Sequence, residues 1–317
     1  MTKFHPIKLA PAFKDYLWGG TRLKSEFNKQ CDFDIVAESW ELSAHKDGQS
    51  VVLSGDFHGM TLSEYFHALG KEALGKNCEK YDYFPLLIKL IDAKGDLSVQ
   101  VHPSDEYALA HEGEYGKTEM WYILDCDENA ALYYGFAENI SREDYEAAIK
   151  EGSLTQLLNK VNVVRGDVFF IPAGTVHAIG AGILICEIQQ NSNTTYRVYD
   201  YNRRDKDGHL RPLHVEKALE VSCLEKSPPL PHIPEGHDVL LAACEYFETR
   251  RLRFEGNGAI SADESSFVSL VITEGGGTLS YEGGQLSFAK GDSLLIPAQN
   301  MVFNITGCCE MIQSKVN

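Results

Sequence analysis

The chain has 317 residues, 44% of them apolar, enough for one large domain or two ordinary ones with full-sized cores. Acidic residues outnumber basic ones 46 to 29, a formal charge of −17 that no lysine or arginine run interrupts. That balance argues against a nucleic-acid or anionic-membrane surface, so an anionic ligand must be met by a few local cations.

The N-terminal stretch MTKFHPIKLAPAFKDYLWGG holds no apolar signal core, and the most apolar runs, FPLLIKLI and VLLAAC, are far shorter than a membrane span. A cytoplasmic location is the expectation. The eight cysteines lack CxxC spacing, and several stand in apolar runs such as ILICEI, as reduced core thiols do.

In chain order, ESWELS and QSVVLS read as short strands, and LSEYFHALGKEALG has helical spacing ending in glycine. LSVQVH is the next strand. Its valines pack on one side, while Gln100 and His102, two residues apart, share the other face. PSDEYALAHEG reads as a helix with acids in its first turn. EMWYIL and AALYYGF read as strands, and SREDYEAAIKEGSLTQLLNK as a helical stretch opened by a Ser141 to Asp144 cap. DVFFIP, ILICEIQQ and TTYRVYDY follow as strands, before four prolines between Pro228 and Pro234 mark a linker. Strands and glycine turns resume beyond it. Many short strands with period-two patterning argue a sandwich or barrel.

GDVFFIPAGTVHAI from Gly166 and GDSLLIPAQNMVFNI from Gly291 share Gly-Asp, an apolar stretch and Ile-Pro-Ala at equal offsets, an internal repeat. The copies differ where chemistry would sit, with His177 in the first matched by Val302 in the second.

Gly166, Pro172, Gly174 and His177 form G(x)5PxG(x)2H, which resembles the second cupin motif, with Ala181 where asparagine is usual. Gln100 and His102 take the place of the first motif's His-x-His pair, and Glu119 takes that of its glutamate, 17 residues after His102 rather than a few, with an inserted helix between. The resemblance implies a mainly β chain of two cupin-type jelly-roll barrels with an inserted helical region. The expected division is a catalytic metal-binding domain over 1–228, with helical insertions at about 103–113 and 141–160, and a ligand-free cupin-like domain over 229–317. One amide oxygen, two imidazoles and one carboxylate suit zinc or a similar divalent ion.

YLWGGTRL, ESWELSAH, FPLLIKLIDAKGDLSVQVHPSDEYA, GKTEMWYIL and FIPAGTVHAIGAGILICEIQQNSNTTYRVYDYNR resemble, in order, the type I mannose-6-phosphate isomerases in their short bacterial form. That resemblance implies a zinc enzyme interconverting mannose 6-phosphate and fructose 6-phosphate. It carries over Gln100, His102, Glu119 and His177 as ligands of one Zn²⁺ per chain, and Arg197 as catalytic. Asn193 stands where relatives commonly have aspartate, so any base there must be replaced.

Aldose–ketose isomerisation needs a base near C1 and C2, charge stabilisation on oxygen and a phosphate anchor. Lys117, two residues before Glu119, is the first choice for acid/base work and substrate binding, with metal-activated water as the competing base. Arg197 suits phosphate or a developing enediolate, or else pairs structurally with Asp200 or Glu187. Lys89, charged within an apolar strand, reads as a sugar or phosphate ligand or as a partnered core lysine. Trp18 and Trp40 read as packing, Tyr196 as facing away from Arg197, and Arg203, Arg204, Asp205 and Asp207 as a solvated loop. The competing functions are a non-catalytic sugar-phosphate-binding cupin and an isomerase of an unphosphorylated sugar. An iron oxygenase fits the ligand set poorly. A monomer or weak homodimer is expected, without nucleic-acid or membrane partners.

Overall fold

The structure is a computed structural model that describes residues 4–204 and 208–317, so Asp205 and Asp207 lie outside the described residues. It is mainly β and divides into two compact units. One comprises residues 17–20 and 91–231, and the other residues 1–16, 21–90 and 232–317.

In the first unit a five-stranded sheet runs in the order Leu158–Asn162, Ala131–Phe136, His177–Ala178, Val99–Val101, Tyr196–Tyr199. Alternation sorts its residues cleanly. Val99, Val101, Val176, Ala178, Tyr196 and Val198 enter one buried apolar cluster. Gln100, His177 and Arg197, the intervening residues, face the other way. The cluster is completed by Tyr145 and Ile149 of the helix Arg142–Glu151 and by Ala218 and Leu219 of the helix Val215–Val221. Two helices thus cover one face of this sheet, and the polar row occupies the other.

A second sheet in this unit orders Val168–Ile171, Glu119–Cys126 and Ile183–Gln190. Glu119 stands opposite Ile171 on one side and Gln189 on the other, so these three share a face. The T-shaped contact of Trp121 with His177, ring centroids 5.2 Å apart, shows that this face meets the polar row of the five-stranded sheet.

The helical stretch is shorter than its sequence suggests. Ser141 caps it by accepting from the Asp144 amide at 3.0 Å, and the helix ends at Glu151 because Gly152 turns left-handed at φ 72°. Residues 158–162 are strand, not helix. The helix near 103–113 is Asp105–His111.

In the second unit, Val268–Tyr281, Met301–Lys315 and Glu248–Ala262 form long antiparallel ladders around a core that includes Leu270, Ile272, Phe303 and Met311. The expected boundary at 228 needs correction for the N-terminal part. Ile7–Ala10 pairs with Ser293–Ile296, so the first strand of the chain completes the C-terminal sheet and belongs with it. Within the proline run, Pro231 is grouped with the first unit and His232 with the second. The repeat has a local basis. Gly166 and Gly291 adopt φ of 95° and 90°, each turning the chain into a strand that stops before proline. Val302 is 55% exposed, so the second copy offers a surface position where the first has a buried histidine.

Leu154, fully buried in the cluster behind the five-stranded sheet, tests that layer. Leu154→Ala should cost about 2–5 kcal/mol of unfolding free energy. A urea transition shifted by less than about 1 kcal/mol would show that the layer is not a packed core.

Candidate metal centre and active site

Gln100 is the Cα partner of His177 on one side and of Arg197 on the other, so three residues expected in the site form one row across neighbouring strands. His102 lies just past the end of the strand Val99–Val101, and its ring centroid is 4.8 Å from that of His177. Glu119, fully buried, enters from the facing sheet. One donor atom from each of His102, Glu119 and His177 lies within 4.8 Å of the others, so these residues can hold a metal ion. Gln100 is half-buried on the same side and is placed there by register.

The protonation pattern follows from backbone carbonyls. His177 Nδ1 donates to Thr175 O at 2.9 Å, and His102 Nδ1 donates to Thr194 O at 2.9 Å. A carbonyl accepts only, so in the neutral rings each Nε2 carries a lone pair. His177 Nε2 stands 3.3 Å from Glu119 Oε1 and makes no hydrogen bond. Two acceptors therefore face each other in a buried space. Protonating His177 would relieve the clash, but burial pushes its pKa down to about 4. A divalent cation between them resolves it, and the donor set fits one.

Lys117 supplies a cation at the edge of this cluster, with Nζ 3.0 Å from Glu119 Oε2 and 3.1 Å from His102 Nε2. The strand begins only at Glu119, so alternation alone does not aim this lysine. The Lys117 amide donates to Pro103 O at 3.0 Å, and the Gly116 amide to Asp105 Oδ1 at 2.6 Å. A Cβ at Gly116 would lie 2.4 Å from the Ser104 carbonyl carbon, so only glycine permits this close approach of segment to helix start. His102 Nε2 can serve Lys117 or a metal, not both.

Arg197 is half-buried, with Nε 3.3 Å from Ser98 Oγ and an NH donor 3.1 Å from Pro212 O. The pairing with Asp200 does not form. Asp200 instead accepts from Arg203 and from both Nε and NH2 of Arg211, at 2.5–2.7 Å. Burial opposes the charge of Asp200, but Arg211 and Arg203 outweigh it and hold the carboxyl below its usual range. Arg203 is thus a partnered side chain rather than part of a solvated loop. Lys89 is buried, 3.8 Å from Glu38 Oε2 and 5.4 Å from the Trp40 ring centre, as a partnered core lysine would be. Trp18 and Trp40 are buried, and Tyr196 turns away from Arg197 to donate to Glu112 at 2.7 Å.

Three contributors were not singled out from the sequence. Thr175 and Thr194 act through backbone carbonyls, which no side-chain pattern reveals. Gln189 is fully buried opposite Glu119. Its signal was present in ILICEIQQ, where Glu187 and Gln189 alternate through an apolar strand. Glu187 accepts from Trp121 Nε1 at 2.9 Å, on the same face.

Buried imidazole and carboxylate donors, brought together from facing sheets of a mainly β unit, define a cupin-type protein with a candidate metal site. The type I phosphomannose isomerase catalytic domain model matches residues 7–128, and the mannose-6-phosphate isomerase cupin domain model matches residues 238–316. The chain is 41% identical to mannose-6-phosphate isomerase ManA of Bacillus subtilis over 98% of both proteins. It is 37% identical to the mannose-6-phosphate isomerase of Streptococcus mutans, again over 98% of each. A crystal structure of mannose 6-phosphate isomerase from Bacillus subtilis superposes with a TM-score of 0.91 at 38% identity, covering 98% of this chain and 99% of that one. The chain belongs to the type I phosphomannose isomerases.

A histidine held neutral by burial makes stability pH-dependent. The folded value of about 4 lies below the unfolded 6.5, so the unfolded chain binds the proton more readily between them. In metal-free protein the His177 contribution should be complete above about pH 6.5 and fall as pH drops toward 4. Urea unfolding from pH 7.5 to 4, compared with His177→Asn, isolates it. Parallel pH dependence in both proteins would show that His177 does not titrate in this way.

Proposed function

We propose that the family reaction, interconversion of D-mannose 6-phosphate and D-fructose 6-phosphate, takes place at His102, Glu119 and His177, with Gln100 as a fourth ligand and zinc as the ion. The observation that carries this reading is the lone pair of His177 Nε2 facing the Glu119 carboxylate at 3.3 Å in a buried site. Imidazole and carboxylate donors on short buried elements suit zinc, and an amide oxygen completes a four-ligand set. A zinc ion held by these residues would supply positive charge against the negative charge that develops on oxygen during isomerisation.

The remaining work falls to residues of the chain. Isomerisation removes a proton at one of C1 and C2 and returns one at the other, with a matching proton shift between their oxygens. We assign Lys117 to this transfer, because its amine sits against Glu119 and His102 without being a ligand. Arg197 shares the face of Gln100 and His177, and its planar fork suits the anionic enediolate or the phosphate. Lys89, matched by Glu38, is assigned to packing. No helix among the described residues is long and apolar enough to cross a membrane.

Purified protein of known zinc content, incubated with mannose 6-phosphate in D₂O, should form fructose 6-phosphate with deuterium entering at the transferred position, followed by NMR. Zinc-loaded protein that neither converts nor exchanges the substrate would favour a sugar-phosphate-binding role and overturn the isomerase reading. Lys117→Met should lower kcat at least about 100-fold while zinc stays near one per chain. A near-unchanged kcat would remove the lysine from the chemistry.

A further inference from the structure

The strand Ile183–Gln190 leads into an irregular bend before the strand Tyr196–Tyr199, and two glutamines grip that bend from different sides. Gln190 holds it outwardly. Its Oε1 accepts from the Thr118 amide at 2.8 Å, and its Nε2 donates to Asp105 Oδ1 at 2.9 Å. Gln189 holds it inwardly, with Nε2 donating to Gln190 O at 2.9 Å and Ser192 O at 2.6 Å. The bend tightens further through the Ser192 amide on Gln190 O, at 2.8 Å, and the Thr194 amide on Ser192 Oγ, at 3.3 Å. It ends at Thr194, whose carbonyl accepts from His102 Nδ1.

Gln189 is fully buried and stands opposite Glu119, so its side chain shares the face of the metal-site carboxylate. Two carbonyls engage its nitrogen, which fixes the orientation of the amide and turns Oε1 away from them. That oxygen makes no hydrogen bond, although it is buried. A residue serving only to tie a loop would have both ends satisfied. Here one end shapes the bend, and the other leaves an acceptor within the polar layer beside Glu119.

We propose that Gln189 is a positioning residue of the metal centre, clamping the 190–194 bend so that the Thr194 carbonyl holds His102 with Nε2 as its metal-binding nitrogen. This rests on the metal reading of the site. Groups that orient a ligating histidine commonly change metal affinity ten- to a hundredfold when removed. Gln189 would do so one step further out, through the backbone.

The test uses the full chain loaded with Co²⁺, whose visible absorption reports ligand geometry. Gln189→Met keeps the side-chain length and removes both donated bonds. It should weaken Co²⁺ binding about ten- to a hundredfold in chelator competition, change the visible band, and lower kcat with KM for mannose 6-phosphate within about twofold. Gln189→Asn, a smaller change too short to reach both carbonyls, carries the same test should the Met variant fail to fold. Leu154→Ala, which weakens the core behind the sheet, should leave affinity and band unchanged in folded protein and so separates positioning from stability. Wild-type affinity and an unmoved band in a folded Gln189 variant would overturn the proposal alone. Failure of the unmodified chain to bind Co²⁺ at this site would overturn the metal reading and this inference with it.

Discussion

The site depends on one arrangement: a neutral imidazole pinned by a backbone carbonyl with its lone pair against a carboxylate. Thr175 O accepts a hydrogen bond from His177 Nδ1–H, so Nε2 of the neutral ring can only accept, and Glu119 Oε1 stands before it at 3.3 Å. Burial blocks the easy remedy of protonation. Such a contact persists in a folded chain only if the surrounding strands hold both partners and something positive belongs between or beside them. Lys117 meets part of that need from the edge, and a divalent ion would meet the rest.

The fold meets this requirement through alternation. In three neighbouring strands, valine, alanine and tyrosine point to the helices Arg142–Glu151 and Val215–Val221, while Gln100, His177 and Arg197 point to the facing sheet. The helices therefore have a functional consequence without touching the ligands. They bury one side of the sheet, so a one-residue slip of register would drive the polar row into the apolar cluster. The same logic explains how Glu119 can be displaced along the chain. The helix Asp105–His111 intervenes, yet its first residue binds the Gly116 amide and brings the returning segment back beside His102.

Much of this was legible beforehand, for physical reasons that can be named. Period-two patterning showed which side of LSVQVH was polar, and the glycine-proline framework around His177 marked a turn, a strand and a second turn. The repeat at Gly291 shares the turn geometry, while Val302 marks the copy without the histidine. Lys117 was identified by its nearness to Glu119, but its aim comes from Gly116 and Asp105 rather than from strand alternation. Apolar spacing over residues 154–160 extends the second helix in the sequence pattern, whereas Gly152 stops it in the fold. The pairing of Ile7–Ala10 with Ser293–Ile296 spans nearly the whole sequence, and no local pattern encodes it.

By itself, the sequence determined the residue types and their local periodicity: which faces are apolar, where turns must fall, and that two histidines, a glutamate and an amide stand in or next to strand segments. Those properties are local, since side-chain alternation and glycine turns need only a few neighbouring residues. Tertiary structure decided the rest. Which carbonyl meets which ring nitrogen, that Asp200 is taken by Arg203 and Arg211 rather than Arg197, and that Gln189 lies across from Glu119 all depend on the register between strands distant in sequence. Register is settled by burying whole faces at once, a constraint on the assembled chain rather than on any segment of it.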